Sequence, residues 1–168
     1  YQNVGAVYLS EGKYGESIPL LHKALELQPT ADLYANLGTA YFYLKRYNDA
    51  IKMYEKATEM NRNLEINMGN LADAYRWSGQ KDKANATYDK AISLAYKELE
   101  VNPKDADAMR NLALYYGKKG DAAQARQYIQ KARAIDPHNF DLFYSEAVVQ
   151  ALAGHPSEAL KALAEAFK

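Results

Sequence analysis

Four sets of landmarks recur along this chain at one shared set of intervals, and that repetition constrains the fold more tightly than any local motif. The first is an amide series, Asn3, Asn36, Asn70 and Asn111, with Ser145 in the fifth place. The second is small and follows two residues later: Gly5, Gly38, Ala72, Ala113 and Ala147. Two more small series run Ser17, Ala50, Ala84, Ala125, Ala159 and Ala24, Ala57, Ala91, Ala132, Ala166. All four advance by 33, 34, 41 and 34 residues. Agreement across four landmarks is not coincidence, so the chain reads as an array of like units.

Each unit carries two helical patterns. Tyr34, Leu37, Gly38 and Tyr41 follow the three-and-four spacing of one helix face, and Ala50, Tyr54 and Ala57, with Ile51 and Met53 alongside, give the next. Between paired helices stand Gly12, Gly79, Gly120 and Gly154, suited to a helix C-terminus that needs positive φ; Lys45-Arg46 replaces that glycine in the second unit. Units end near Pro29, Pro103 and Pro137, while the junction at Arg62 lacks a proline and leans on Asn61 and Asn63. Small residues at fixed places let two helix backbones approach, with Tyr54 and Tyr88 filling the groove beside them. The long step is localised by counting. Ala91 to Pro103 is 12 residues, against 5 from Ala24 to Pro29 and from Ala132 to Pro137. Seven residues are therefore added within 92–102, close to two helical turns, so the helix can run on without rotating its apolar face. Leu94, Tyr96 and Leu99 would line that projection, either as a tolerated extension or as a lever or partner contact.

An array with this period, helix–turn–helix units and this order of Leu-Gly, Tyr, Ala, aromatic, Ala and Pro resembles the tetratricopeptide repeat. The resemblance covers essentially the whole chain. It implies an all-α, right-handed α-solenoid of about five units, near 1–29, 31–62, 65–104, 106–138 and 140–168, forming one array. The third unit's second helix is expected to be longer by about two turns. The fifth unit departs most, with Glu146 where Leu is usual and Gln150 where Tyr is usual, as expected of a cap. A start at Tyr1 suggests a fragment of a longer protein. The second half also resembles repeat regions attached to bacterial serine/threonine kinases and nucleotide cyclases.

Composition narrows the partners. Lys plus Arg and Asp plus Glu number 21 each, with a pI near 7, so no bulk charge draws the chain to nucleic acid or an anionic bilayer. A hydrophobic fraction of 48% with 25% charge is globular. There is no cysteine, hence no disulfide frame and no thiolate metal site. No stretch approaches a membrane span and no basic-then-apolar leader opens the chain. The expectation is a cytoplasmic module without a membrane or nucleic-acid partner.

The resemblance implies that the first helix of each unit lines the concave side, where stacked asparagines can form a ladder. A primary amide both donates and accepts, so it can bond the backbone of an extended peptide whatever its side chains. Asn3, Asn36, Asn70 and Asn111 would be the rungs, though asparagine there also serves solubility or local bonding. The same face brings Thr39, Phe42 and Tyr43 in the second unit, Asp73, Arg76 and Trp77 in the third, Arg110, Leu114 and Lys118 in the fourth, and Tyr144 and Val148 in the fifth. Aromatics interleaved with arginine suit an interface; Trp77 suits either that or packing on the adjacent repeat. The slots that grip a chaperone's terminal carboxylate in some members hold Gln2, Ala6, Asn36, Ile66 and Asn70 here. Only Asn36 agrees, which argues against that clamp.

No catalytic or cofactor constellation is present in the sequence. His22, His138 and His155 have no metal-ligand spacing and read as solvated; no phosphate-cradling glycine run and no nucleophile elbow occurs. Pro19 falls in the first turn if its helix begins near Glu16 and kinks the helix otherwise, while Pro156 reads as a first-turn proline. Leu160, Leu163 and Phe167 form an apolar stripe with no following helix to cover it. The reading is a non-enzymatic module binding a protein or peptide segment. The alternatives are self-association through uncovered end helices and a regulatory segment of a larger signalling protein.

Overall fold

The protein is described by a computed structural model over residues 2–167. Ten α-helices occupy it, with no strand among the described residues: α1 (Gln2–Ser10), α2 (Tyr14–Leu27), α3 (Ala31–Tyr43), α4 (Tyr47–Met60), α5 (Glu65–Trp77), α6 (Lys81–Val101), α7 (Ala106–Lys119), α8 (Ala122–Ile135), α9 (Phe140–Leu152) and α10 (Pro156–Glu165).

Helix ends follow from residue chemistry. Thr30, Asp105, Asp121 and Asn139 cap α3, α7, α8 and α9 by accepting the N–H three residues on, at 3.2, 2.9, 3.0 and 3.2 Å. The turn glycines 12, 79, 120 and 154 all hold φ between +73° and +91°, and Lys45 takes the same left-handed conformation at φ 61°. Without a proline, the junction before α5 is turned by Asn61, whose Oδ1 accepts from Asn63 N at 3.3 Å; Asn102 does the same for Lys104 N at 3.3 Å.

The chain forms two compact units, Tyr1–Lys90 and Ala91–Lys168. In the first, α1 packs on α2 and α3 on α4, with α2 on α3 and α4 on α5; α1 also meets α3, and α3 meets α5. In the second, α7 packs on α8 and α9 on α10, and both α7 and α8 pack on α9. Hairpin thus stacks on hairpin, and first helices contact first helices. Most of the small residues of the repeat are buried. Gly5, Gly38, Ser17, Ala50, Ala57, Ala72, Ala84, Ala91, Ala113, Ala125 and Ala132 are all buried. A Cβ on Gly38 would lie 2.7 Å from two ring carbons of Tyr54, itself only 3% exposed.

The long step resolves as expected: α6 has 21 residues where α2, α4 and α8 have 14 each. The extension is not a free projection, since the Tyr96 hydroxyl meets those of Tyr116 at 2.9 Å and Tyr128 at 3.0 Å. One open alternative is decided and one expectation needs correction. α2 begins at Tyr14, so Pro19 lies inside the helix beyond its first turn, where it withholds the N–H that would bond the Gly15 carbonyl. Leu163 is not part of an uncovered stripe, because it packs on Ala147, Ala159 and Ala162; Leu160 and Phe167 remain 68% and 81% exposed. Pro156 opens α10, as read.

Candidate functional site

A cleft of about 120 Å³ in the first unit gathers five of the residues singled out by sequence: Thr39, Phe42 and Tyr43 from α3, and Asn70 and Asp73 from α5. Helical spacing explains the grouping, because residues three and four apart share one face. Tyr54 from α4 completes the lining, a role that its register as a groove filler does not disclose.

The polar atoms are tied together. Thr39 Oγ1 donates to the Ala35 carbonyl at 3.0 Å and lies 3.0 Å from the Tyr54 hydroxyl. The hydroxyl of fully buried Tyr88 donates to Asp73 Oδ1. Burial pushes the Tyr54 and Tyr88 phenols well above their ordinary range; at Tyr54 the Thr39 bond partly opposes this, and the Asp73 carboxylate adds to it at both, so both stay neutral. Tyr43 is 58% exposed and stacks on Tyr14 at 4.6 Å and 9°, with Phe42 edge-on at 5.8 Å. Phe42 continues to Tyr47 at 5.5 Å, and Tyr47 stacks near Trp77 at 6.1 Å. Trp77 is 58% exposed, with the Arg76 guanidinium 5.9 Å from its ring. It therefore belongs to an open aromatic row and not to the core.

The amides behave as a set. Asn36, Asn70 and Asn111 are each half-buried, Asn3 is exposed, and no side-chain hydrogen bond to them occurs among the described residues. Ser145, in the fifth place, differs: it is buried and donates to the Asp141 carbonyl at 2.7 Å. In the second unit Leu114 and Lys118 are half-buried, and Lys118 is engaged by another group. Arg110 is occupied structurally, pairing with Asp107 at 3.3 Å and Asp141 at 3.4 Å and so tying α7 to α9. Glu146, the departure from Leu, pairs with Arg133 at 2.5 Å.

One recurring contact has no counterpart among the sequence landmarks. Tyr41, Tyr75 and Tyr116 hold the same repeat position, and each reaches back to the preceding second helix: to His22 Nε2 at 3.1 Å, Glu55 Oε1 at 2.6 Å and the Tyr96 hydroxyl at 2.9 Å. His22 is thus bonded, not simply solvated. The place equivalent to Glu55 in α6 is Asp89, yet Tyr96 makes the bond, seven residues on. Burial and these partners push Tyr75 and Tyr128 up to about 12. Among the described residues no cluster of three His, Cys, Asp or Glu could hold a metal ion, and no helix is long and apolar enough to cross a membrane.

Comparison with known proteins agrees with this geometry. The tetratricopeptide repeat pattern matches residues 1–63 and 64–138. Cellulose synthase operon protein C of Escherichia coli K12 is 42% identical over 50 residues, 30% of this chain and 4% of that protein. Cellulose synthase 1 operon protein C of Komagataeibacter xylinus is 44% identical over 43 residues, 26% of this chain and 3% of that protein. The chain therefore spans a small part of these relatives' length. None of them is named a kinase or a cyclase. Among solved structures, the thermophilic TPR protein TTC0263 of Thermus thermophilus superposes with TM-score 0.75 at 19% identity, over 98% of this chain and 87% of that one. MamA gives 0.57 at 24%, over 99% and 94%. YrrB, described as a TPR protein with an unusual peptide-binding site, gives 0.54 at 22%, over 98% and 82%. With its repeating landmarks, stacked helical hairpins and matching pattern, this all-α solenoid chain belongs to the tetratricopeptide repeat family.

Proposed function

We propose that the chain is a non-catalytic interaction module that holds an extended segment of a partner protein against the first helices of its repeats. The observation that carries this reading is the cleft lined by Thr39, Phe42, Tyr43, Asn70 and Asp73, an open polar–aromatic hollow beside half-buried amides. Asn36 and Asn70 have donor and acceptor capacity to spare for a peptide backbone. Asn3 and Asn111 take the same role by register, with Leu114 and Lys118 beside Asn111. Half-buried Arg76 and exposed Trp77 supply the cation–aromatic pair that interface anchors favour. Arg110 serves by fixing α7 to α9. The description of YrrB as peptide-binding lends this reading support by analogy of fold alone.

The test is selection of a random 12-residue peptide library on the protein, followed by calorimetry. Selected peptides should bind the Asn36→Ala/Asn70→Ala variant more than tenfold more weakly while its thermal midpoint stays near the parent's. Peptides that bind both proteins equally would remove the amides from the account, and failure to select any peptide would remove the groove.

A second reading is favoured by Leu160 in α10 and Phe167 just after it, large apolar side chains left open. We propose that this end packs on a second copy or a further repeat. Sedimentation over a concentration series, with Leu160→Ser as control, distinguishes the two: a monomer throughout rules out the copy.

A further inference from the structure

At both ends of the array apolar side chains stand open whose apolar counterparts within it are covered. Val4 and Val7 on α1 are 49% and 51% exposed. Their repeat equivalents lie on first helices that follow a second helix. Leu37, Leu71 and Leu112 at the Val4 place, and Ala40, Ala74 and Val149 at the Val7 place, are all buried. The other end shows the same contrast at Leu160 on α10 and Phe167 just after it, both exposed. At their places Ile51 and Ile92 are buried and Ile18 and Leu25 half-buried, while polar Asn85 and Arg126 at the Leu160 place face water. A solenoid end that faces water is ordinarily polar. Neither of these ends is.

The junction of α8 with α9 shows which places meet. Arg133 on α8 stands at the Phe167 place, Glu146 on α9 stands at the Val4 place, and the two pair at 2.5 Å. A second helix thus brings its Phe167 place against the Val4 place of the first helix that follows. Where that junction holds an ion pair, the two ends carry an apolar pair, Phe167 and Val4. They are the two halves of one junction, and a second copy supplies whichever half is missing. The formal net charge is zero, so no long-range repulsion keeps copies apart. We infer that α1 of one copy packs on α10 of the next, head to tail, so that Leu160 and Phe167 cover Val4 and Val7. The inference rests on the second reading above, that the α10 end packs on a neighbour, and adds the surface that covers it. Head and tail differ, so copies add in sequence, into a ring or an open chain.

The experiment is sedimentation equilibrium on the whole chain. The parent's average mass should rise with concentration. Val4→Asp blocks the head and Leu160→Asp the tail, and both alter exposed side chains, so the core is untouched. Each variant alone should stay monomeric, and their equimolar mixture should form a two-chain complex, because one open tail and one open head remain. A second readout uses the lack of cysteine in the parent. Val4→Cys and Phe167→Cys chains, mixed and oxidised, should give the mixed dimer in at least tenfold excess over either homodimer. Self-association of Val4→Asp alone overturns the head-to-tail contact and leaves a tail-to-tail copy standing. A mixture that stays monomeric, or cysteine chains that pair without preference, also overturns it. A parent that is monomeric at every concentration removes both this contact and the second copy.

Discussion

Gly38 carries more of the architecture than its size suggests. An added methyl would stand 2.7 Å from the Tyr54 ring, which is buried and bonded to Thr39 and so has little room to retreat. Overpacking costs about 1–3 kcal/mol, against which alanine's better helix propensity returns under about 1 kcal/mol. Gly38→Ala should therefore lower unfolding free energy by about 1–2 kcal/mol in denaturant titration; an increase would mean that α3 and α4 cross less tightly than described. Asn67 presents the opposite case. It occupies the repeat position of Leu33 and Leu142, is 2% exposed, and its Nδ2 finds no hydrogen-bond partner among the described residues. An orphaned buried donor costs about 1–3 kcal/mol, so the similarly shaped Asn67→Leu should stabilise the first unit by about that amount. Stability unchanged or reduced in the same titration would indicate that the amide is satisfied.

At the scale of elements, the tyrosines at 41, 75 and 116 fasten each first helix to the second helix before it. The consequence is visible at high pH. Tyr75 is pushed up to about 12, by burial first and then by its bond to Glu55. An unfolded phenol releases its proton near about 10. Below about pH 10 the stabilisation is fully present. Between about 10 and 12 the unfolded chain gives up a proton that the folded chain keeps, so stability falls as pH rises. Tyr75→Phe should flatten that fall measurably in urea titrations at successive pH values; an unchanged slope would place the alkaline sensitivity elsewhere. The all-helical fold, hairpin pairing and the two-turn extension of α6 were legible in the sequence, because small residues and glycine turns keep register. The tyrosine bonds were not. Their partners, His22, Glu55 and Tyr96, differ in kind, and the last is displaced by seven residues, so no shared letter marks the position.

For the molecule as a whole, the repeat determines which faces are available and leaves the occupant to local chemistry. Helical phase put Thr39, Phe42, Tyr43, Asn70 and Asp73 on the faces of first helices, while the cleft that gathers them comes from how those helices pack. It could not disclose that Tyr54 joins them from α4, or that Arg110 is held by Asp107 and Asp141, since both depend on how neighbouring helices meet. The departures at Glu146 and Gln150 read as loss of pattern, but the structure supplies partners for both, Arg133 at 2.5 Å and His155 at 3.4 Å. The central claim is that a partner's segment lies against the first helices beside the amides. The most direct measurement is amide-resolved NMR mapping of a library-selected peptide on the first unit. The account predicts perturbations concentrated at Asn36, Thr39, Tyr43, Asn70 and Asp73; perturbations confined to the exposed faces of α2 and α4 would contradict it.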